Sequence, residues 1–168
     1  IKDKKVVWNN VPNPLAKIER RAFNLMKRRE NKNIRYTKFQ RGEGAWCHNN
    51  KIYFATTLTN EIWEHDIKKQ TCEVLYKGDG SLREPDNITV SNKGLIVAAE
   101  DSDNLELCVV SQKTGKSFPI VRIIGHEGSE VTGPAFNPSG NRLYFSSQRG
   151  RSGKGITYEV AGPFNSLI

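Results

Sequence analysis

Three short acidic stretches carry the residues with the clearest capacity for chemistry. Arg41-Gly-Glu-Gly44 comes first, Glu84-Pro-Asp-Asn87 second, and Glu100-Asp101 with Asp103 and Asn104 third. Carboxylates and an amide brought together repel one another unless a cation sits among them. Oxygen donors of this kind suit Ca²⁺, or Fe³⁺ and other hard ions. Each stretch also has a plain structural use. Glu84-Pro-Asp-Asn87 can be a turn, with Pro setting φ and Asn tolerating the left-handed region. Arg41 and Glu43 can form a surface ion pair between glycines that serve a tight turn.

Other chemistries lack their residues. Asp101-Ser-Asp-Asn104 begins like a calcium-binding EF-hand loop, but Glu106 stands where the glycine is needed and Gln112 where the closing glutamate is needed. Gly150-Arg-Ser-Gly-Lys-Gly155 lacks the phosphate-loop spacing and precedes a strand pattern rather than a helix. No Gly-x-Ser-x-Gly elbow occurs, so a serine nucleophile of that type has no support. His48, His65 and His126 show no ligand spacing, and His65 in Trp63-Glu-His-Asp66 fits a strand. Cys47, Cys72 and Cys108 lie too far apart for a zinc-finger pair, and Cys72 and Cys108 fall in apolar runs where a buried thiol is the ordinary outcome.

The elements that must position these residues are short strands. From residue 45 onward, β-branched and aromatic runs alternate with turn residues such as Asn49-Asn50, Asn92-Lys-Gly94 and Pro138-Ser-Gly-Asn141. A unit of apolar stretch, turn and apolar strand recurs at Ile52, Leu95 and Leu143, at spacings of 43 and 48 residues. Such a period in a strand-only pattern marks β-propeller blades, each a four-stranded sheet. The expectation is therefore an all-β chain of about three blades, the C-terminal part of a larger, six-bladed propeller. Innermost strands of a propeller converge on the central channel, so the three acidic stretches are expected to meet there. Lys4–Trp8 is strand-like and is expected to belong to another blade. Residues 14–30 break the pattern: Leu15, Ile18, Ala22, Leu25 and Met26 fall at helical spacing behind Pro14, which predicts an inserted amphipathic helix.

Charge and hydropathy narrow the partners. The chain has 168 residues and a net charge of +8, but Pro14–Arg35 alone carries eight basic and two acidic residues. A nucleic-acid groove combines a distributed basic stripe with aromatic platforms, so one basic helix on a nearly neutral body argues against nucleic acid. No run approaches the roughly 18 apolar residues of a membrane span. The first residue is Ile, with no basic start and apolar segment behind it, so any signal peptide is expected to lie outside these residues. Nothing in the residues fixes an oligomeric state.

Taken in order, several motifs resemble the PhoX family of bacterial phosphatases. They are Arg41-Gly-Glu-Gly-Ala-Trp46, Ile52-Tyr-Phe-Ala-Thr-Thr57, Ile62-Trp-Glu-His-Asp66 and Glu84-Pro-Asp-Asn-Ile-Thr-Val-Ser91. Ala99-Glu-Asp101, Gly133-Pro-Ala-Phe-Asn-Pro-Ser-Gly140 and Gly155-Ile-Thr-Tyr-Glu-Val-Ala-Gly-Pro-Phe164 continue the match over residues 36 to 164. The resemblance implies a propeller with a central iron and calcium cluster, a small phosphorylated substrate, and a periplasmic or secreted location. It implies that Glu43, Glu84 and Glu100 are metal-side carboxylates and that Arg41 contacts the substrate phosphate. Asp86, Asn87 and Asp101 are the weaker candidates, as groups supporting the metal-binding loops. The family's N-terminal half carries a Thr-Pro-Trp-Gly-Thr type stretch leading into Cys-Glu-Glu, which has no counterpart here. The resemblance thus implies that this chain holds only part of the metal site. A calcium-dependent lactonase-like propeller and a non-catalytic binding propeller remain the alternatives.

Overall fold

The computed structural model describes residues 4–8, 37–78, 81–150 and 152–167. The helix expected over residues 14–30 lies outside the described residues. Among the described residues eleven strands form three antiparallel sheets, each built in chain order. The first blade holds β1 (Gly42–His48), β2 (Lys51–Thr56), β3 (Glu61–Asp66) and β4 (Thr71–Lys77). The second holds β5 (Pro85–Val90), β6 (Ile96–Glu100), β7 (Glu106–Val110) and β8 (Ser117–Arg122). The third has three strands among the described residues, β9 (Val131–Phe136), β10 (Arg142–Ser147) and β11 (Ile156–Ala161).

Turn chemistry sets the hairpins. Asn49 and Asn50 both adopt positive φ, 48° and 60°, and join paired residues His48 and Lys51 in the two-residue turn that matches strand twist. At the β9–β10 turn the Asn137 side chain accepts the Asn141 and Arg142 amides at 3.1 and 3.0 Å, while Gly140 supplies a φ of +71°. Lys5 makes one antiparallel bridge to Thr71, and the Val6 amide bonds the Gln70 carbonyl. Lys4–Trp8 therefore lies along the outer edge of the first blade instead of starting another one. The reason is local: Lys4 pairs with Glu73, and the Trp8 indole packs edge-on to His65 and bonds Gln70.

The core lies between blades. One buried cluster joins Tyr53, Ile62 and Tyr76 of the first blade to Ile88, Ile96, Ala98 and Cys108 of the second. The other joins Val97, Ala99, Leu107 and Val109 to Val131, Leu143 and Phe145 of the third. Because β6 is covered on both faces, all five of its residues are buried, and alternate side chains serve opposite interfaces. This explains the unbroken apolar run from Leu95 to Ala99. By contrast, β10 alternates: Leu143, Phe145 and Ser147 are buried, whereas Arg142, Tyr144 and Ser146 face outward. Cys72 and Cys108 are buried as expected, and Cys47 is exposed. No helix among the described residues is long and apolar enough to cross a membrane.

Candidate functional site at the leading ends of the inner strands

β1, β5 and β9, the first strands of the three sheets, pack side by side. Their leading ends lie next to Glu43, Asp86 and Glu130, residues spaced 43 and 44 apart along the chain. Two of these ends are irregular. The β1–β2 register shifts between Gly42 and Ala45, and the β5–β6 register shifts between Pro85 and Asn87. Glu43 and Asp86 thus sit in bulges, which take a side chain out of the ladder and re-aim it. Gly44 lets the two bulged ends approach, since a Cβ there would lie 2.7 Å from both the Asn87 Cα and the Asp86 carbonyl oxygen. The Thr57 hydroxyl donates to the Pro85 carbonyl at 2.8 Å, while the Thr57 amide bonds the Arg41 carbonyl at 3.0 Å. One buried threonine therefore ties the loop before β1 to the start of β5.

Arg41 is held at φ +54° and is half exposed. Its Nε lies 3.3 Å from Glu43 Oε1, and its Nη2 donates to Asp101 Oδ2 at 3.1 Å. The Asp101 hydrogen bond is the main reason the guanidinium holds its proton more tightly than usual. Asp86 accepts from Asn87 Nδ2 at 2.6 Å, and Asn87 Oδ1 in turn accepts the Gly133 amide of the third blade at 3.3 Å. Burial raises the Asp86 pKa, and the nearby Glu43, Asp101 and Glu130 carboxylates raise it further, against the opposing Asn87 bond. Glu130 is paired with Arg149. All three blades contribute a carboxylate to this group.

The remaining expected residues lie beside this group. Glu84, at φ +45°, donates its amide to Asn60 Oδ1 at 2.6 Å. It lines a cleft of about 700 Å³ together with Asp101, Asp103, Asn104 and Glu106. Glu100 is fully buried within the second blade and accepts the Arg83 amide at 2.7 Å and the Ser102 hydroxyl at 3.1 Å. Burial pushes its pKa up. The ligand atoms of Glu100, Glu106 and Cys108 all lie within 4.8 Å of one another, the arrangement among the described residues that gathers three such atoms most tightly. The structure thus pairs Arg41 with Glu43 and Asp101, pairs Asp86 with Asn87 close enough to feel Glu43 and Asp101, places Glu84 on an adjoining cleft through Asp101, and turns Glu100 towards Glu106 and Cys108.

Sequence reasoning missed Glu130, Arg149 and Glu106. The signal for Glu130 is the even spacing of Glu43, Asp86 and Glu130, which the apolar repeat at Ile52, Leu95 and Leu143 obscures because it marks the second strand of each sheet rather than the first. Arg149 follows β10 and reaches the site only through its pairing with Glu130.

The donor set suits a hard cation. Glu43, Asp86, Asp101 and Glu130 set four carboxylates against two guanidinium groups, and burial first, then repulsion from the other three, raises the Asp86 pKa. Calcium accepts carboxylate, amide and carbonyl oxygens in variable geometry, and ferric iron takes carboxylate oxygens as well.

Sequence comparison finds no matching family and no matching curated protein. Structural comparison finds a luciferin-regenerating enzyme at a TM-score of 0.55 and 18% identity, covering 73% of this chain and 45% of that one. A streptogramin B lyase matches at a TM-score of 0.51 and 18% identity, covering 73% of this chain and 41% of that one. The chain spans less than half the length of each. Both neighbours are propellers, and the three stacked antiparallel sheets share their architecture. The fold is that of part of a β-propeller.

Proposed function

We propose that this chain forms part of a metal-dependent propeller that hydrolyses phosphomonoesters, in line with its resemblance to the PhoX phosphatases. The observation that carries the reading is Arg41, a half-exposed guanidinium held by Glu43 and Asp101 beside carboxylates from all three blades. A planar guanidinium pairs well with two phosphoryl oxygens, and its fixed position presets that contact. Glu43, Asp86 and Asp101 would hold the cation, with Glu130 completing the negative ring and Asn87 orienting Asp86 across the blade boundary. Calcium, with iron as the resemblance implies, would supply charge withdrawal from the phosphoryl oxygens and an activated water oxygen. Thr57 and Gly44 fix the backbone on which Arg41 and Asp86 are carried.

The test is hydrolysis of a phosphomonoester beside a lactone by the propeller that carries these residues, with calcium and iron supplied. Phosphomonoester turnover that drops on Arg41→Lys, with metal content unchanged, is the expected result, because a point charge cannot make the paired contacts. Lactone turnover without phosphomonoester turnover would overturn the reading.

A further inference from the structure

We propose that Arg149 is a second oxyanion-binding guanidinium of this site, on the third-blade side of the carboxylates as Arg41 is on the first-blade side. The inference rests on the phosphoester reading and adds a specificity residue to it. Arg149 pairs with Glu130 much as Arg41 pairs with Glu43, and the two side chains are similarly exposed, 49% and 52%. The inner strands β1, β5 and β9 pack side by side, and Asn87, next to Asp86, accepts the Gly133 amide of the third blade at 3.3 Å, so the strand ends that carry the two guanidinium groups flank Asp86 on either side.

The backbone that presents Arg149 is fixed from beneath. Ser147 is fully buried, and its hydroxyl lies 2.8 Å from both His126 Nδ1 and the Ser129 hydroxyl. The Ser129 hydroxyl accepts the Arg149 amide at 2.9 Å, and the Gln148 amide bonds the Glu130 carbonyl at 2.9 Å. Gly150 lies so close to the His126 ring that a Cβ there would sit 2.9 Å from Nδ1. Gln148 accepts a further hydrogen bond from the guanidinium. A side chain of many rotamers is thereby held at one place on the rim, which lowers the ordering cost of a contact made there. A phosphomonoester dianion presents three oxygens, so two guanidinium groups can bind it with a cation on the remaining face. Arg142 is the internal control: it pairs with Glu159 in the same way, but on the outward face of the third blade.

The experiment is titration of the propeller with inorganic phosphate in the presence of calcium, followed by the KM and kcat for a phosphomonoester. The parent is compared with Arg41→Gln, Arg149→Gln, Arg149→Lys and Arg142→Gln. Arg149→Gln should weaken phosphate binding about tenfold or more and raise KM more than it lowers kcat. Arg149→Lys, which keeps the charge beside Glu130, should fall between parent and Arg149→Gln, and Arg142→Gln should match the parent. Parent-like phosphate affinity in both Arg149 variants, with binding lost in Arg41→Gln, would overturn the role of Arg149 and leave the phosphoester reading standing. No phosphate binding by the parent would overturn both.

Discussion

Gly44 is where the account can be broken most sharply by one methyl group. A Cβ at this position would lie 2.7 Å from the Asn87 Cα, 2.7 Å from the Asp86 carbonyl oxygen and 2.9 Å from the Ile88 nitrogen. All three are backbone atoms of the neighbouring blade's inner strand, so no side chain can swing aside. To reach the about 3.5 Å at which such atoms rest, β1 and β5 must separate locally by roughly 0.8 Å. Overpacking of this kind costs about 1–3 kcal/mol. For a chain of this size that is a drop in Tm of about 2–12 °C. The separation also moves Arg41 and Glu43 away from Asp86, so calcium affinity should fall with stability. Gly42→Ala is the matched control, because nothing lies within 4 Å of its added Cβ. It should leave Tm within about 2 °C of the parent. Thermal unfolding followed by circular dichroism reads both variants. A Gly44→Ala protein as stable as Gly42→Ala would refute the close approach of the two inner strands.

Glu100 makes a pH-dependent contribution. Burial raises its pKa in the folded chain, so the folded state keeps a proton that the unfolded state has already lost. Stability of chelator-treated protein should therefore fall as pH rises through the window above the ordinary carboxylate value, and Glu100→Gln should reduce that fall, leaving the share that comes from the raised Asp86 carboxyl; a urea midpoint series against pH checks it. Glu43→Gln should return the Asp86 carboxyl towards its ordinary value, because Glu43 is the leading carboxylate raising it. NMR titration of Asp86 in metal-free protein reads the change, and an unmoved Asp86 would separate the two residues. Ser147→Ala should cost about 1–3 kcal/mol, since it strips one buried partner from both His126 and Ser129; a denaturant midpoint equal to the parent's would contradict it.

Much of the fold was legible because each blade repeats the same burial problem. The recurrence at Ile52, Leu95 and Leu143 announced three hairpins of similar build, whereas the unbroken run Leu95–Ala99 takes its meaning from the structure, where β6 is covered on both faces. Lys4–Trp8 was harder to place, because its strand-like composition says nothing about which edge it joins; the Lys4–Glu73 pair and the Trp8–His65 contact decide that in three dimensions. At the site, Arg41, Glu43, Asp86 and Asp101 could be found because each lies at the end of an apolar strand. The direction of Glu100 was not readable in that way. Adjacent strand residues point to opposite faces, and only the register that aligns Glu100 with Pro85 shows which side it takes relative to Asp101. Arg149 was hidden for a different reason, since its link to the site runs through Glu130, 19 residues earlier and opposite it only once β9 and β10 pair.

The central claim is that inner-strand ends from three blades build one cation site around Asp86. A calcium titration of the chelator-treated chain, comparing the parent with Asp86→Asn and Glu159→Gln, tests it most directly. Glu159 sits on the outward face of the third blade, paired with Arg142, and removes the same charge without touching the site. The account predicts calcium binding by the parent, an affinity weaker by about tenfold or more in Asp86→Asn, and no change in Glu159→Gln. Equal affinity in the two variants, or no binding by the parent at about 1 mM calcium, the weak limit of carboxylate-built sites, would contradict it.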